Sequence, residues 1–187
     1  MKGMRLDRID TSNIGNAQEK FDEKVKGLTL QVLQQAQAAK PTRQIRMLFQ
    51  EHDDLYKQAH AGTITPQEFK KVEKLIFDEM GATKVHTFSE FFMLLIALGI
   101  SEDAARGMAT HENDHVQKAL QIGLDAEYAL VHSRSSDGKL ILHPFMMWEV
   151  PVGHDQALIR KVEELVISAP ENLSKDDINK LRELKEK

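Results

Sequence analysis

A chain of 187 residues, 41% hydrophobic and 29% charged, is long enough to bury a sizeable core and has the composition of a globular protein. Its 25 basic and 29 acidic residues give a net charge of −4 with no basic block, so no nucleic-acid partner is expected. The absence of cysteine excludes disulfides, thiol nucleophiles and cysteine metal sites. The longest apolar run, residues 91–100, falls short of the roughly 18 residues a membrane span needs. Residues 1–10 carry no signal-type apolar segment, and a cytoplasmic location is the expectation.

In chain order, residues 1–14 are polar and unpatterned and read as a loose arm. Residues 16–39 are rich in Gln, Lys, Glu and Ala, with Leu28, Leu30, Val32 and Leu33 among them, which predicts a helix stopped by Pro41. Ile45, Leu48, Phe49, Leu55 and Tyr56 fall on a helical repeat within residues 42–61, and Gly62 ends it. Thr65, Pro66 and Glu68 supply the N-cap, N1 and N3 positions of a third helix, with Phe69, Val72, Leu75, Ile76 and Met80 inside and Gly81 as its stop. The stretch 55–76, with its GTITPQEF turn, resembles short helical-hairpin modules that carry a G-x-I-T-x-x-E-F turn.

Thr87 to Glu90 reads as a capping box opening a helix to Leu98 that is apolar almost all round, hence central. Ser101 is placed to cap a long helix through Ile122, with Glu102 and Asp103 at its positive end and Gly123 as the C-cap. The hydrophobic period then changes. Residues 127–133 and 139–145 flank Ser135 to Gly138 and predict a β-hairpin. If Arg134 faces Lys139, His132 and His143 share one sheet face as diagonal neighbours. Two further helices, residues 154–168 and 174–186, are separated by Pro170, and Ser174 with Asp177 caps the second. The expected fold is mainly α: a bundle of seven helices around residues 88–98, with one β-hairpin at residues 127–145. Three parts are expected, an arm at 1–14, helices at 15–81 and a helical core at 82–187, together forming one compact domain. The first helices are candidates for a homo-oligomer surface.

One motif carries chemistry. His111-Glu112-Asn113-Asp114-His115 fits H-E-x-x-H. Residues four apart on a helix share a face, so both imidazoles can reach one ion, and the intervening Glu112 can take a proton from water on that ion. Ala104, Met108, Ala119 and Ile122 share the stripe of His111 and His115, which points the histidines inward. Buried imidazoles need partners, and a metal or acidic neighbours would supply them. A catalytic centre wants a third protein ligand. Glu127, just past the Gly123 break, is the first candidate. His132 and His143 follow, then Glu149 and His154. His52, His60 and His86 lack ligand spacing and read as outlying residues.

Two family resemblances rest on these residues. HENDH resembles the zincin metallopeptidases, which implies His111 and His115 as zinc ligands and Glu112 as general base. Gln121 stands where the longer H-E-x-x-H-x-x-G-x-x-H form has its third His, and a gluzincin-like reading would use Glu149. Separately, His111, His115 and Glu127 resemble the H-D-x-x-H-x11-E zinc motif of a coenzyme Q biosynthesis family, with Glu112 in place of Asp, and that resemblance implies Glu127 as the third ligand. The function expected is binding of a divalent ion, zinc, with Glu112 activating metal-bound water in a hydrolase acting on a small molecule or peptide. The alternatives are a noncatalytic metal- or ligand-binding scaffold and a metal-free helical interaction module.

Overall fold

The structure, a computed structural model, describes residues 12–148 and 156–185. Seven helices and four strands succeed one another among them: α1 (Ser12–Gln37), β1 (Lys40–Pro41), α2 (Thr42–His60), α3 (Pro66–Met80), β2 (Thr83–Val85), α4 (Phe88–Ala97), α5 (Glu102–Gln121), β3 (Ala126–Arg134), β4 (Leu140–Trp148), α6 (Gln156–Ile167) and α7 (Lys175–Lys185). The mainly α reading holds. The single hairpin does not, because β3 and β4 are joined by two short strands into a four-stranded sheet. No described helix is long and apolar enough to cross a membrane. Residues 12–14, expected in the loose arm, are helical, and the remainder of that arm lies outside the described residues.

The hub of the molecule is β3 rather than α4. β4 pairs with it antiparallel along its whole length. On its other edge β1 pairs in parallel at Ser133 and Arg134, and β2 antiparallel at residues 128–130. Side chains alternate across a strand. Tyr128 and Leu130 therefore join one core with Val32 of α1, Phe91, Leu94 and Leu95 of α4, and Ala105, Ala109 and Val116 of α5. Val131, on the opposite face, joins a second core with Ile45 and Leu55 of α2 and Phe69, Ile76 and Phe77 of α3. Helices thus cover both faces of the sheet. That explains why the β3 sequence, Tyr128-Ala-Leu-Val, is a continuous apolar run instead of an alternating one.

The hairpin register differs from the sequence expectation by one residue. Gly138 sits at φ 84°, its N–H donates to the Ser135 carbonyl at 2.9 Å, and the Ser135 N–H donates to the Lys139 carbonyl. This left-handed glycine forms a bulge that shortens the loop to residues 136–138. Arg134 consequently faces Leu140, His132 faces Leu142, and His143 faces Val131. A one-residue slip sends side chains to the other face, so His132 and His143 lie on opposite faces of the sheet.

Caps locate the helix starts. Thr65 and Glu68 make both halves of a capping box. Thr87 accepts from the Glu90 N–H, but the Glu90 carboxylate turns to Lys24 of α1 at 2.6 Å, so only half of the expected box forms. Ser101 occupies the N-cap of α5 without a side-chain capping bond.

Leu130 is fully buried and Leu140 is 46% exposed, one near the middle of β3 and the other at the start of β4. We expect Leu130→Ala to destabilise the fold by about 2–5 kcal/mol and Leu140→Ala by roughly 0.5 kcal/mol or less. Urea unfolding of the two variants checks this, and equal midpoints would contradict β3 as the packed centre.

Candidate metal centre

The site is built on α5. Ala105, Ala109, His115, Val116 and Ala119 are its buried residues, and Glu112 falls on the line of the apolar four. The buried face shares His115 and Ala119 with the stripe expected from Ala104, Met108, Ala119 and Ile122, but is centred one residue, about 100°, away from it, and Ala104, Met108 and Ile122 are exposed. Met108 and Ile122 are each 37% exposed. The small alanines bring α5 close to α4 and the sheet, and Glu112 faces the sheet with them. His111 and His115 are left on the adjacent flank, facing α6 and α7.

There the two imidazoles meet Asp177 at the start of α7. His111 Nε2 is 3.2 Å from Asp177 Oδ2, and His115 Nε2 is 3.4 Å from Oδ1. The ligand atoms of the three residues all lie within 4.8 Å of one another. The His111 side chain is 22% exposed, Asp177 13% and His115 7%. Charge-assisted N–H···O bonds are usually about 2.7–2.9 Å long. Four ligands placed tetrahedrally at about 2.0–2.1 Å from zinc stand about 3.3 Å apart. The two separations are long for ion pairs and run to different oxygens of one carboxylate, which leaves the three side chains close enough to gather around one ion.

The ring of His115 is held by its other nitrogen, with Nδ1 2.8 Å from the carbonyl oxygen of Val166 on α6. A carbonyl only accepts, so Nδ1 carries the proton and Nε2 is turned to the cluster, as metal-bound histidines are commonly oriented. Asp177 is positioned by its capping box. Its Oδ2 accepts from the Ser174 N–H at 2.8 Å and from the Ser174 hydroxyl at 2.6 Å, while its own N–H donates to Ser174 Oγ. One carboxylate both starts α7 and closes the cluster.

The electrostatics fit this arrangement. For Asp177, burial alone would raise the pKa, but hydrogen bonds from His115 and Ser174 bring it down to about 2. For His115, burial works against the charged ring, and the Asp177 and Val166 partners with the negative charges of Asp177 and Glu112 outweigh it and raise the pKa. Burial pushes Glu112 up to about 7, opposed chiefly by the His115 charge and assisted by Asp177, with the Met146 N–H donating to its carboxylate. Glu112 is thus within electrostatic reach of both His115 and Asp177.

The other candidate ligands are placed elsewhere. Glu127 pairs with His86 Nδ1 at 2.9 Å and Lys84 at 3.4 Å. It alternates with Tyr128, whose hydroxyl donates to Asn113 on α5, so Glu127 looks away from that helix. His143 Nε2 meets Ser133 Oγ at 2.7 Å, and Ser133 Oγ meets Thr42 at 2.9 Å. His132 is buried with Nδ1 unpartnered, and burial lowers its pKa. Glu149 and His154 lie outside the described residues. Of the three outlying histidines, His52 pairs with Glu73, His60 with Glu163 and His86 with Glu127. The third member, Asp177, was visible in the sequence only as a capping residue. Nothing in its spacing from His115 marks it. The chain matches no protein-family model, no curated protein and no solved structure.

Glu112 and His115 both have raised pKa values, so the stability they contribute to the metal-free protein is complete below their unfolded values and declines as pH rises. Asp177 acts in reverse, and its contribution is lost only as pH falls from about 4 toward 2. We expect the metal-free protein to lose stability between pH 5 and 8, with Glu112, shifted from 4.5 to about 7, accounting for roughly 3 kcal/mol at most. Glu112→Gln cannot ionise and should flatten much of that decline in a pH series of melting curves. An unchanged slope would show that Glu112 does not titrate in this range.

Proposed function

We propose that the protein is a divalent metal-binding protein whose ion, zinc, is held by His111, His115 and Asp177. The observation that carries this reading is the convergence of two imidazole nitrogens and one carboxylate at ligand-to-ligand separations of 3.2 and 3.4 Å, with the His115 ring oriented from behind by Val166. Two nitrogens and one oxygen form a donor set suited to zinc, and three protein ligands leave a fourth position for water. The hydrolytic reading is favoured by Glu112. A half-buried carboxyl brought to about 7 within electrostatic reach of the cluster is suited to accept a proton from water near neutral pH. Zinc, when bound, supplies a water acidic enough to lose that proton. His111, His115 and Asp177 would hold the ion, and Glu112 would be the group to accept the proton.

Elemental analysis and calorimetry on protein purified without an affinity tag test the reading. We expect about one zinc per chain, lost from His111→Ala and His115→Ala and weakened at least about tenfold by Asp177→Ala. Absence of zinc from the native chain, or full retention by His115→Ala, would refute it. Glu112→Gln should keep the metal. In a screen of hydrolysable esters, amides and phosphoesters it should lower any zinc-dependent turnover by about 10²–10⁴-fold. A fully active Glu112→Gln would leave metal binding in place and remove Glu112 from the chemistry.

A further inference from the structure

The helix that supplies Asp177 is weakly attached by every other measure. α7 has no buried residue, and its Ile178 is 44% exposed. Leu181 and Leu184 are half-buried, while the rest of its last two turns is exposed. Its packing is against α6, its neighbour in sequence. Among the described residues, two close polar contacts carry it to more distant elements, beside longer-range attractions of Lys180 for Glu112 and of Glu183 for Lys57. One is Asp177 with His111 and His115 on α5. The other is Lys180 Nζ at 3.6 Å from Asp53 Oδ1 on α2, with the two side chains 54% and 43% exposed. An ion pair that open adds little. An eleven-residue helix is also too short to be stable by itself in water. α5, by contrast, is fixed by its alanine stripe whether or not α7 is present.

We propose that the ion at His111, His115 and Asp177 is a docking switch for α7. When the ion is bound, residues 174–185 are fastened onto α5. When it is lost, only the two long pairs of Asp177 with His111 and His115 remain, and the helix opens far more often from an otherwise intact core. The proposal rests on the metal-binding reading above. Its physical basis is linkage: the docked state offers three donors and the undocked state two, so the ion shifts the equilibrium by the ratio of its affinities for the two. The coupling is reciprocal, and anything that pulls α7 away weakens the hold on the ion by the same factor.

Hydrogen–deuterium exchange, followed by mass spectrometry on the full chain in saturating zinc and in chelator, tests the switch, with zinc stoichiometry measured on the same samples. Amides of residues 178–185 should exchange at least about tenfold more slowly with zinc, while peptides from α4 and β3 change little. Asp177→Ala should exchange fast in both conditions. Ser174→Ala, which loses the cap hydroxyl but keeps the carboxylate, should retain the zinc response. Zinc bound at one per chain with no change in α7 exchange would overturn the switch and leave the metal centre standing. Absence of stoichiometric zinc would overturn both. A Ser174→Ala protein that binds zinc without protecting α7 would show that the helix cap, not the ion, holds the helix.

Discussion

The arrangement turns on one carboxylate. Asp177 accepts two hydrogen bonds from Ser174, which start α7, and the same group faces the two imidazoles of α5. Burial of that carboxylate is tolerable because its oxygens have partners on both sides. The histidines are tolerable near the core for the same reason. His115 in particular is almost wholly enclosed and is satisfied by Val166 behind and Asp177 in front. Remove the carboxylate and two inward-facing rings lose a partner, while α7 loses both its cap and its reach to α5.

Much of the fold was legible in the sequence because its punctuation is local. All seven helices were expected, and the caps at Thr65 and Ser174 are present as read. What was not legible is non-local. β1 and β2 are two and three residues long and carry no periodicity of their own. They are strands because β3 offers an edge, and nothing within Lys40–Pro41 announces that edge. The hub was also misplaced for a physical reason. An apolar run such as Phe91 to Ile100 marks burial, but it does not say whether the buried helix is the centre or one layer over a sheet.

The site divides along the same line. His111 and His115 were found from an i, i+4 spacing, which is local geometry. His115 is buried as expected, but the centre of the buried face was misplaced, because methionine and isoleucine at 108 and 122 outweighed Ala105, Ala109 and Val116. Close helix packing against a sheet selects the small residues, and the larger apolar ones were left partly exposed. Asp177 lies 62 residues beyond His115, and its capping role gave it a complete local explanation. A residue with one satisfying role is easily passed over for a second. Glu127 stands apart from the cluster for a related reason: the hairpin was expected, but the strand alternation that turns Glu127 toward Lys84 and His86 was not applied to it.

Glu112 has a further consequence through β4. Among the described residues no strand pairs with the outer side of β4. Pro144 offers no N–H there, and the Met146 N–H is held by the Glu112 carboxylate. An imino acid and a half-buried acid thus leave fewer free N–H groups on a margin of the kind that commonly pairs with other chains. Glu112 therefore occupies part of that margin, and its loss would leave the Met146 N–H without this partner.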